Sequence, residues 1–260
     1  IGDRAQKLSV MPFSEMPDDT FFIYPVADID KSTEKAKPGY YSVRLSKDNI
    51  QAEFTASNFV GYHRYTFPKG KDVNIFINEG NKGYNGVECK LTDSLTIEGI
   101  QKSYGGIYFI MKFNTPIKST MAWDGNHLYE ASHVEDQKDG GMVCGFGDLG
   151  GKPLEIQVGV SLTSLDAAKK NYTYECPGWG FKTMKQKASD LWNDKLSLIE
   201  VSGDEEYKTI FYTALYHTCL LPVILSDVDG TYPGIDRKPH LTNGYKHYND
   251  YAFWDSFRTK

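Results

Sequence analysis

Asp227 and Asp229 stand two residues apart in LSDVDGTYPGIDRKPH, residues 225–240, with Tyr232 just behind them. A loop this rich in oxygen suits three chemistries: a calcium ion, the hydroxyls of a sugar, or the loop's own backbone. The EF-hand version of the first fails on register. With Asp229 and Gly230 at its fifth and sixth positions, the first ligand falls on Leu225 and the twelfth on Asp236. A leucine offers calcium no oxygen. What remains is contact with a ligand at a site mouth, set against Asx-turn and capping bonds within the chain.

Other candidate chemistry is thinner. GFGDLG at 145–150 fits G-x-G-x-x-G, but Lys152, Pro153 and a strand-like run follow it, whereas a dinucleotide fingerprint opens a helix. The six histidines show no metal spacing; His63 and His217 read as hydrogen-bonded structural residues. Cys89, Cys144, Cys176 and Cys219 form no C-x-x-C pair, so zinc and thioredoxin signatures are absent and disulfide pairing stays open. There is no G-x-S-x-G elbow. Carboxylates abound, but spacing in sequence does not reveal which two bracket a bond.

Composition narrows the partners. The 260 residues are 40 % hydrophobic and 24 % charged, enough for one large or two ordinary domains with a sizeable core. Net charge is −5 with no run of one sign, which argues against nucleic acid and anionic membranes, both of which reward clustered Lys and Arg. Eighteen tyrosines suit sugars, whose apolar faces stack on rings, and suit β-strands equally. No apolar run reaches membrane-spanning length. The opening IGDRAQKLSV has no apolar signal region and no initiator Met, which suggests a processed or cut end. Asn171-Tyr172-Thr173 is an isolated glycosylation sequon.

The elements that position these residues fall into two halves. From about 38 to 163 the apolar period is two: Tyr41, Val43, Leu45; Ile50, Ala52, Phe54; Val73, Ile75, Ile77; Ile107, Phe109, Met111, Phe113. GYHRYTF and SLTIEGI are further candidates. In LEIQVGVSL, Leu154, Ile156, Val158, Val160 and Leu162 share one face and Glu155, Gln157, Gly159 and Ser161 the other, a half-buried strand. Turn material such as PKGKD, WDGN and GFGDLGGKP separates these runs, and nothing of helical length intervenes. The expectation is an antiparallel β-sandwich. After about 175 the period becomes helical. Met184, Ala188, Leu191, Trp192, Leu196 and Ile199 line one stripe. Ile210, Phe211, Ala214, Leu215 and Thr218 line another, with Asp204 as N-cap, Glu205 and Glu206 in the first turn and Pro222 near the end. A third helix begins around Asp250.

KTIFYTALYHTCLLPVILSDVDGTYPG and GYKHYNDYAFWDSFR closely resemble bacterial α-mannosidases of glycoside hydrolase family 92. GYYSVRL, IQAEFTASNFVGYHRYTFP and GVSLTSLDAAKKNY resemble that family's N-terminal sandwich more loosely. The resemblance implies a mainly β architecture with C-terminal helices: a sandwich over 1–172, a helical linker over 173–203, and the truncated start of an (α/α)6 barrel over 204–260. It implies a secreted, periplasmic or cell-surface, calcium-dependent exo-α-mannosidase that inverts configuration on mannose-containing glycans. The family's acid, base and most calcium ligands lie beyond the position of Lys260, so the resemblance implies no catalytic or metal residue here, a chain inactive alone, and the remainder of the barrel as its partner. Asp255 falls where the family has a substrate-binding aspartate. Arg258, one turn later, would orient it, against a plain surface ion pair. Trp254 is core or sugar platform, core being favoured. Asp227, Asp229 and Tyr232 would stand near the barrel mouth. The alternative is a carbohydrate-binding or purely structural sandwich module.

Overall fold

The computed structural model describes residues 8–16, 22, 26–78, 86–102, 106–137, 140–176 and 178–249. The first strands are β1 (Ser9–Phe13), β2 (Ile29–Lys37), β3 (Tyr40–Leu45), β4 (Ile50–Ala56), β5 (Val60–Thr66) and β6 (Asp72–Asn78). They continue with β7 (Val87–Asp93), β8 (Thr96–Gln101), β9 (Ile107–Phe113), β10 (Ser119–Trp123) and β11 (Leu128–Glu130). Then come β12 (His133–Gln137), β13 (Gly141–Asp148) and β14 (Leu154–Ser161). Three helices follow, α1 (Leu165–Glu175), α2 (Phe181–Leu196) and α3 (Glu205–Thr218), and a small hairpin of β15 (Thr231–Pro233) and β16 (Pro239–Leu241).

The strands make two antiparallel sheets. The smaller has the order β1-β6-β13-β10-β11 and the larger β12-β7-β8-β9-β14-β5-β4-β3-β2. Between them lies the core that the period-two pattern anticipates. Val73, Ile75 and Ile77 of β6 and Cys144 and Phe146 of β13 meet Phe109, Met111 and Phe113 of β9 and Leu154 and Ile156 of β14, all fully buried. The smaller sheet's outer face carries its own cluster, in which Phe22 stacks on Trp123 at 4.9 Å between ring centroids.

Four sequence expectations change. The face of β14 with Glu155, Gln157, Gly159 and Ser161 is not a solvent face, because α1 lies across it and buries Gln157, Gly159 and Ser161. That helix was not anticipated. It buries only Ala167, Ala168 and Asn171, and so lacks a large-residue stripe. Its local signal is Ser164, whose hydroxyl accepts the Ala167 N–H at 3.1 Å. GFGD is strand rather than turn: β13 runs through it, with a bulge between Gly145 and Gly147, and a Cβ on Gly145 would stand 2.5 Å from Ser119 Oγ. The first 37 residues hold β1 and β2, both beyond the segment read as strands.

Helix α2 docks its first half on the larger sheet. Phe181 and Met184 pack with Val60 and Tyr62, and its Ala188 sits against Gly39 in the β2–β3 turn. Gly39 has φ +77, and a Cβ there would stand 2.9 Å from that of Ala188, so both backbone sign and space require glycine. Of the stripe's second half, Trp192 meets α3, its ring 4.7 Å from that of Tyr216, whereas Leu191 is 61 % exposed and Ile199 lies beyond the helix end. Asp204 caps α3 as expected, accepting the Glu206 N–H at 2.8 Å. No α3 residue is buried among the described residues, and Ile210 is 58 % exposed. The helix expected from Asp250 lies outside the described residues.

Candidate functional site

The loop at 226–233 is built as a tight turn against the end of the sandwich. The Asp227 N–H donates to the Thr231 carbonyl at 2.8 Å and the Gly230 N–H to the Asp227 carbonyl at 2.9 Å. Asp229 closes an Asx-turn by accepting the Thr231 N–H at 3.1 Å. Its other oxygen takes Lys170 Nζ of α1 at 2.7 Å. That lysine, opposed by burial and helped by Thr231, holds the Asp229 carboxyl down at about 2. Both side chains are substantially exposed, so solvent screens the pair and it contributes little stability.

Asp227 is placed differently. It is 6 % exposed, and its oxygens receive three side-chain donors: Ser161 Oγ at 2.8 Å, Thr163 Oγ1 at 2.6 Å and Asn171 Nδ2 at 2.6 Å. Asn171, fully buried, also donates to the Val160 carbonyl at 2.9 Å and accepts the Val228 N–H at 2.9 Å. The sequon asparagine is therefore committed inside the folded chain. Sequence reasoning missed Ser161, Thr163 and Asn171. The signal was a poor helix former, Asn171, in the middle of an Ala- and Lys-rich segment.

Behind the turn, Tyr232 is the middle ring of an aromatic column. Its centroid lies 4.1 Å from His247 at 30° and 5.7 Å from His240 at 34°. Tyr245 raises the Tyr232 hydroxyl by hydrogen bonding to it. His240 Nε2 meets Asp236 Oδ1 at 2.9 Å and holds the Asp236 carboxyl below its usual range. The loop's end is tied back: Ser226 Oγ accepts the His247 N–H at 3.0 Å. The structure thus brings Asp227, Asp229 and Tyr232 into one loop with three different surroundings. Trp254, Asp255 and Arg258 lie outside the described residues.

Cation chemistry does not fit these carboxylates. Asp227 faces neutral donors and Asp229 faces an ammonium. Among the described residues no group of three or more His, Cys, Asp or Glu could hold a metal ion. No step below is derived through calcium.

Two further features stand on the larger sheet's outer face. Arg64 makes a two-pronged pair with Glu53 at 2.7 and 2.8 Å and lies 4.3 Å over the Phe181 ring. Burial pushes the Glu53 carboxyl up, and Arg64 and Tyr40 bring it down below its ordinary value. Beyond the start of α1, a groove of about 530 Å³ is lined by Glu88, Glu98, Tyr108, His133 and Leu165. Histidines read as structural separate here: His63 Nδ1 is 3.0 Å from Tyr65 Oη, whereas His217 is exposed at the end of α3.

Comparison with known proteins gives two adjoining family matches. Residues 1–161 match the glycosyl hydrolase family 92 N-terminal domain and residues 167–260 the glycosyl hydrolase family 92 catalytic domain. Nothing matches among curated protein sequences. The family GH92 α-mannosidase BT3965 of Bacteroides thetaiotaomicron has a TM-score of 0.85 at 22 % identity, over 96 % of this chain and 37 % of that one. The same protein has been solved in complex with mannoimidazole. The family GH92 inverting mannosidase BT2199 of B. thetaiotaomicron VPI-5482 has a TM-score of 0.85 at 24 % identity, over 96 % and 35 %. The GH92 family glycosyl hydrolase ccman5 gives 0.83 at 23 %, over 96 % and 37 %. The chain thus spans little more than a third of these relatives. The two family matches leave 162–166 between them, the turn after β14 and the first two residues of α1.

Proposed function

The chain belongs to glycosyl hydrolase family 92, and we propose that it forms the sandwich and first catalytic-domain segment of an exo-acting α-mannosidase. One observation carries this reading: both family domains match in tandem on a single chain, and the second begins on a helix packed against the first. One relative of the same fold is described as an α-mannosidase and another as an inverting mannosidase.

Inversion needs two carboxyl groups roughly 6.5–9.5 Å apart, one protonating the leaving oxygen and the other activating water on the opposite ring face. No described residue is assigned either role, and the resemblance puts both in the helical region. This chain's contribution is to orient. The loop that carries Tyr232, His240 and His247 is tied down near the domain junction, and aromatic residues of this kind suit a sugar ring. Asp255 would accept hydrogen bonds from hydroxyls of the terminal mannose, with Arg258 steering it and Trp254 serving the core. Calcium dependence, with ligands outside the described residues, and export from the cell belong to the same proposal.

The test compares the 260-residue chain with the full-length protein on an aryl α-mannoside, before and after chelation, following the first-formed anomer by NMR. The chain alone should leave the substrate intact. The full-length protein should release β-mannose and lose activity when chelated. Hydrolysis by the short chain, release of α-mannose first, or an inert full-length protein would each overturn the reading.

A further inference from the structure

We infer that Asp227 is a positioning residue for this hydrolysis: a buried latch that fixes the catalytic region's opening loop onto the sandwich. The inference rests on the proposed mannosidase reading and reassigns a residue that the resemblance would place among sugar contacts.

The latch straddles the two family regions. Ser161 is the last residue matched to the N-terminal domain, Thr163 lies in the turn, and Asn171 and Asp227 belong to the catalytic match. Between 56 and 66 residues separate Asp227 from these partners, so nothing local creates the contact. The hydrogens are fully accounted for. Each hydroxyl donates to one carboxylate oxygen, Asn171 Nδ2 donates to the other, and Asn171 Oδ1 takes the next backbone amide in the loop. Ser161, Thr163 and Asn171 are at most 8 % exposed. A carboxylate closed in this way has no oxygen facing a substrate, yet it sets where the loop stands. That loop carries Tyr232 and leads through His247 towards Asp255.

Loss of a latch has a kinetic signature distinct from loss of fold. If the loosened loop spends only a fraction of its time in the binding arrangement, apparent affinity falls by that fraction, while saturating substrate restores the competent state. KM rises and kcat survives. A partly unfolded enzyme does the reverse, losing kcat per total protein at constant KM.

The experiment measures kcat and KM of the full-length enzyme on an aryl α-mannoside for Asp227→Ala, Asp227→Asn and Thr163→Val. Asp227→Ala, which orphans three buried donors, should raise KM about 10- to 100-fold with kcat within about threefold. Thr163→Val, which removes one donor, should raise KM by about threefold and keeps the test open if the alanine variant fails to fold. Asp227→Asn should raise KM clearly less than the alanine variant, because its carbonyl can face Asn171 and its amide can donate to the two hydroxyls, while Ser161 can pass its own hydrogen to Thr163 Oγ1, 3.1 Å away. Equal damage from Asn and Ala would show that the charge itself is needed, as for a sugar or metal ligand, and would overturn the latch. So would a fall in kcat at constant KM, or a Thr163→Val enzyme with parental KM. If the parent enzyme leaves the mannoside intact, the mannosidase reading fails separately. The latch is then judged by hydrogen exchange of the Val228 amide in the 260-residue chain. Asp227→Ala should accelerate that exchange, and more than Asp227→Asn does; equal rates in both variants and the parent would overturn it.

Discussion

Gly159 measures how closely the first helix lies on the sandwich. It pairs with Val60 on one side and Ile110 on the other, in the middle of the larger sheet. A Cβ built there would stand 2.6 Å from Tyr172 Cβ, 3.1 Å from Ile110 Cγ2 and 3.2 Å from the Ala168 carbonyl oxygen. Carbon atoms in contact prefer about 3.5–4.0 Å, so Gly159→Ala needs α1 to retreat by about 1 Å. Overpacking of this kind costs about 1–3 kcal/mol. Disturbing the buried bonds of Asn171, one residue from Tyr172, adds about 1 kcal/mol. Replacing a strand glycine returns about 0.5–1 kcal/mol of chain entropy. The net loss is about 1–3 kcal/mol, or a fall in Tm of about 4–8 °C at its middle value for a domain of this size. Urea unfolding of the parent and variant chains gives the difference directly. Gly178→Ala is the control, since among the described residues no atom beyond its chain neighbours lies within 4 Å of its built Cβ; it should fall within about 0.5 kcal/mol of the parent. A Gly159→Ala chain as stable as the parent would refute the close seating of α1, and with it the argument that β14 is buried on both faces.

Two further outcomes follow from the larger sheet. Arg64→Met should lower stability by about 2–4 kcal/mol, because it strips both bonds from the poorly exposed Glu53 and the stacking on Phe181; Glu53→Gln in the same chain should restore part of the loss, measured by urea midpoints. Burial lowers His63 from 6.5 to about 4 between the Phe54 and Tyr65 rings. The unfolded chain therefore binds the proton first, and stability falls as pH drops from about 6.5 to about 4, by up to about 3 kcal/mol. His63→Gln should flatten the pH dependence of the urea midpoint over that window, and an unchanged slope would exclude His63 as its source.

The sandwich was legible because a strand's period of two survives any choice of neighbour. Phe109, Met111 and Phe113 point inward whichever strands flank β9, and they are fully buried. What the pattern does not contain is what lies on the other face. Gln157 and Ser161 read as solvent-facing, and they are buried because a helix that docks through Ala167 and Ala168 has little apolar signature of its own. The aspartates show the same limit. Their spacing marks a turn, and both make turn bonds. Only tertiary contact separates Asp229, at the surface beside a lysine, from Asp227, enclosed by hydroxyls and an amide.

These contacts divide the work at the junction. The opening loop of the region matched to the catalytic domain is held by polar groups of β14, the turn after it and α1, whose hydrogen bonds are complete. Helix α3 meets the preceding described chain through the Trp192–Tyr216 ring contact and the Tyr212 hydroxyl, which donates to the Ile199 carbonyl at 3.3 Å, and it leaves Tyr207 and Ile210 74 % and 58 % exposed. Hydrogen bonds are directional and fix orientation, whereas apolar burial is non-directional and supplies stability. On the proposed reading, the sandwich therefore sets the register of the catalytic region, and the stability of α3 comes from helices packed on its apolar stripe. A change at Asp227 then acts first on where the loop stands, and a change at Ile210 acts first on whether the helix persists. The two should separate cleanly, the former in KM and the latter in the unfolding midpoint of the full-length protein.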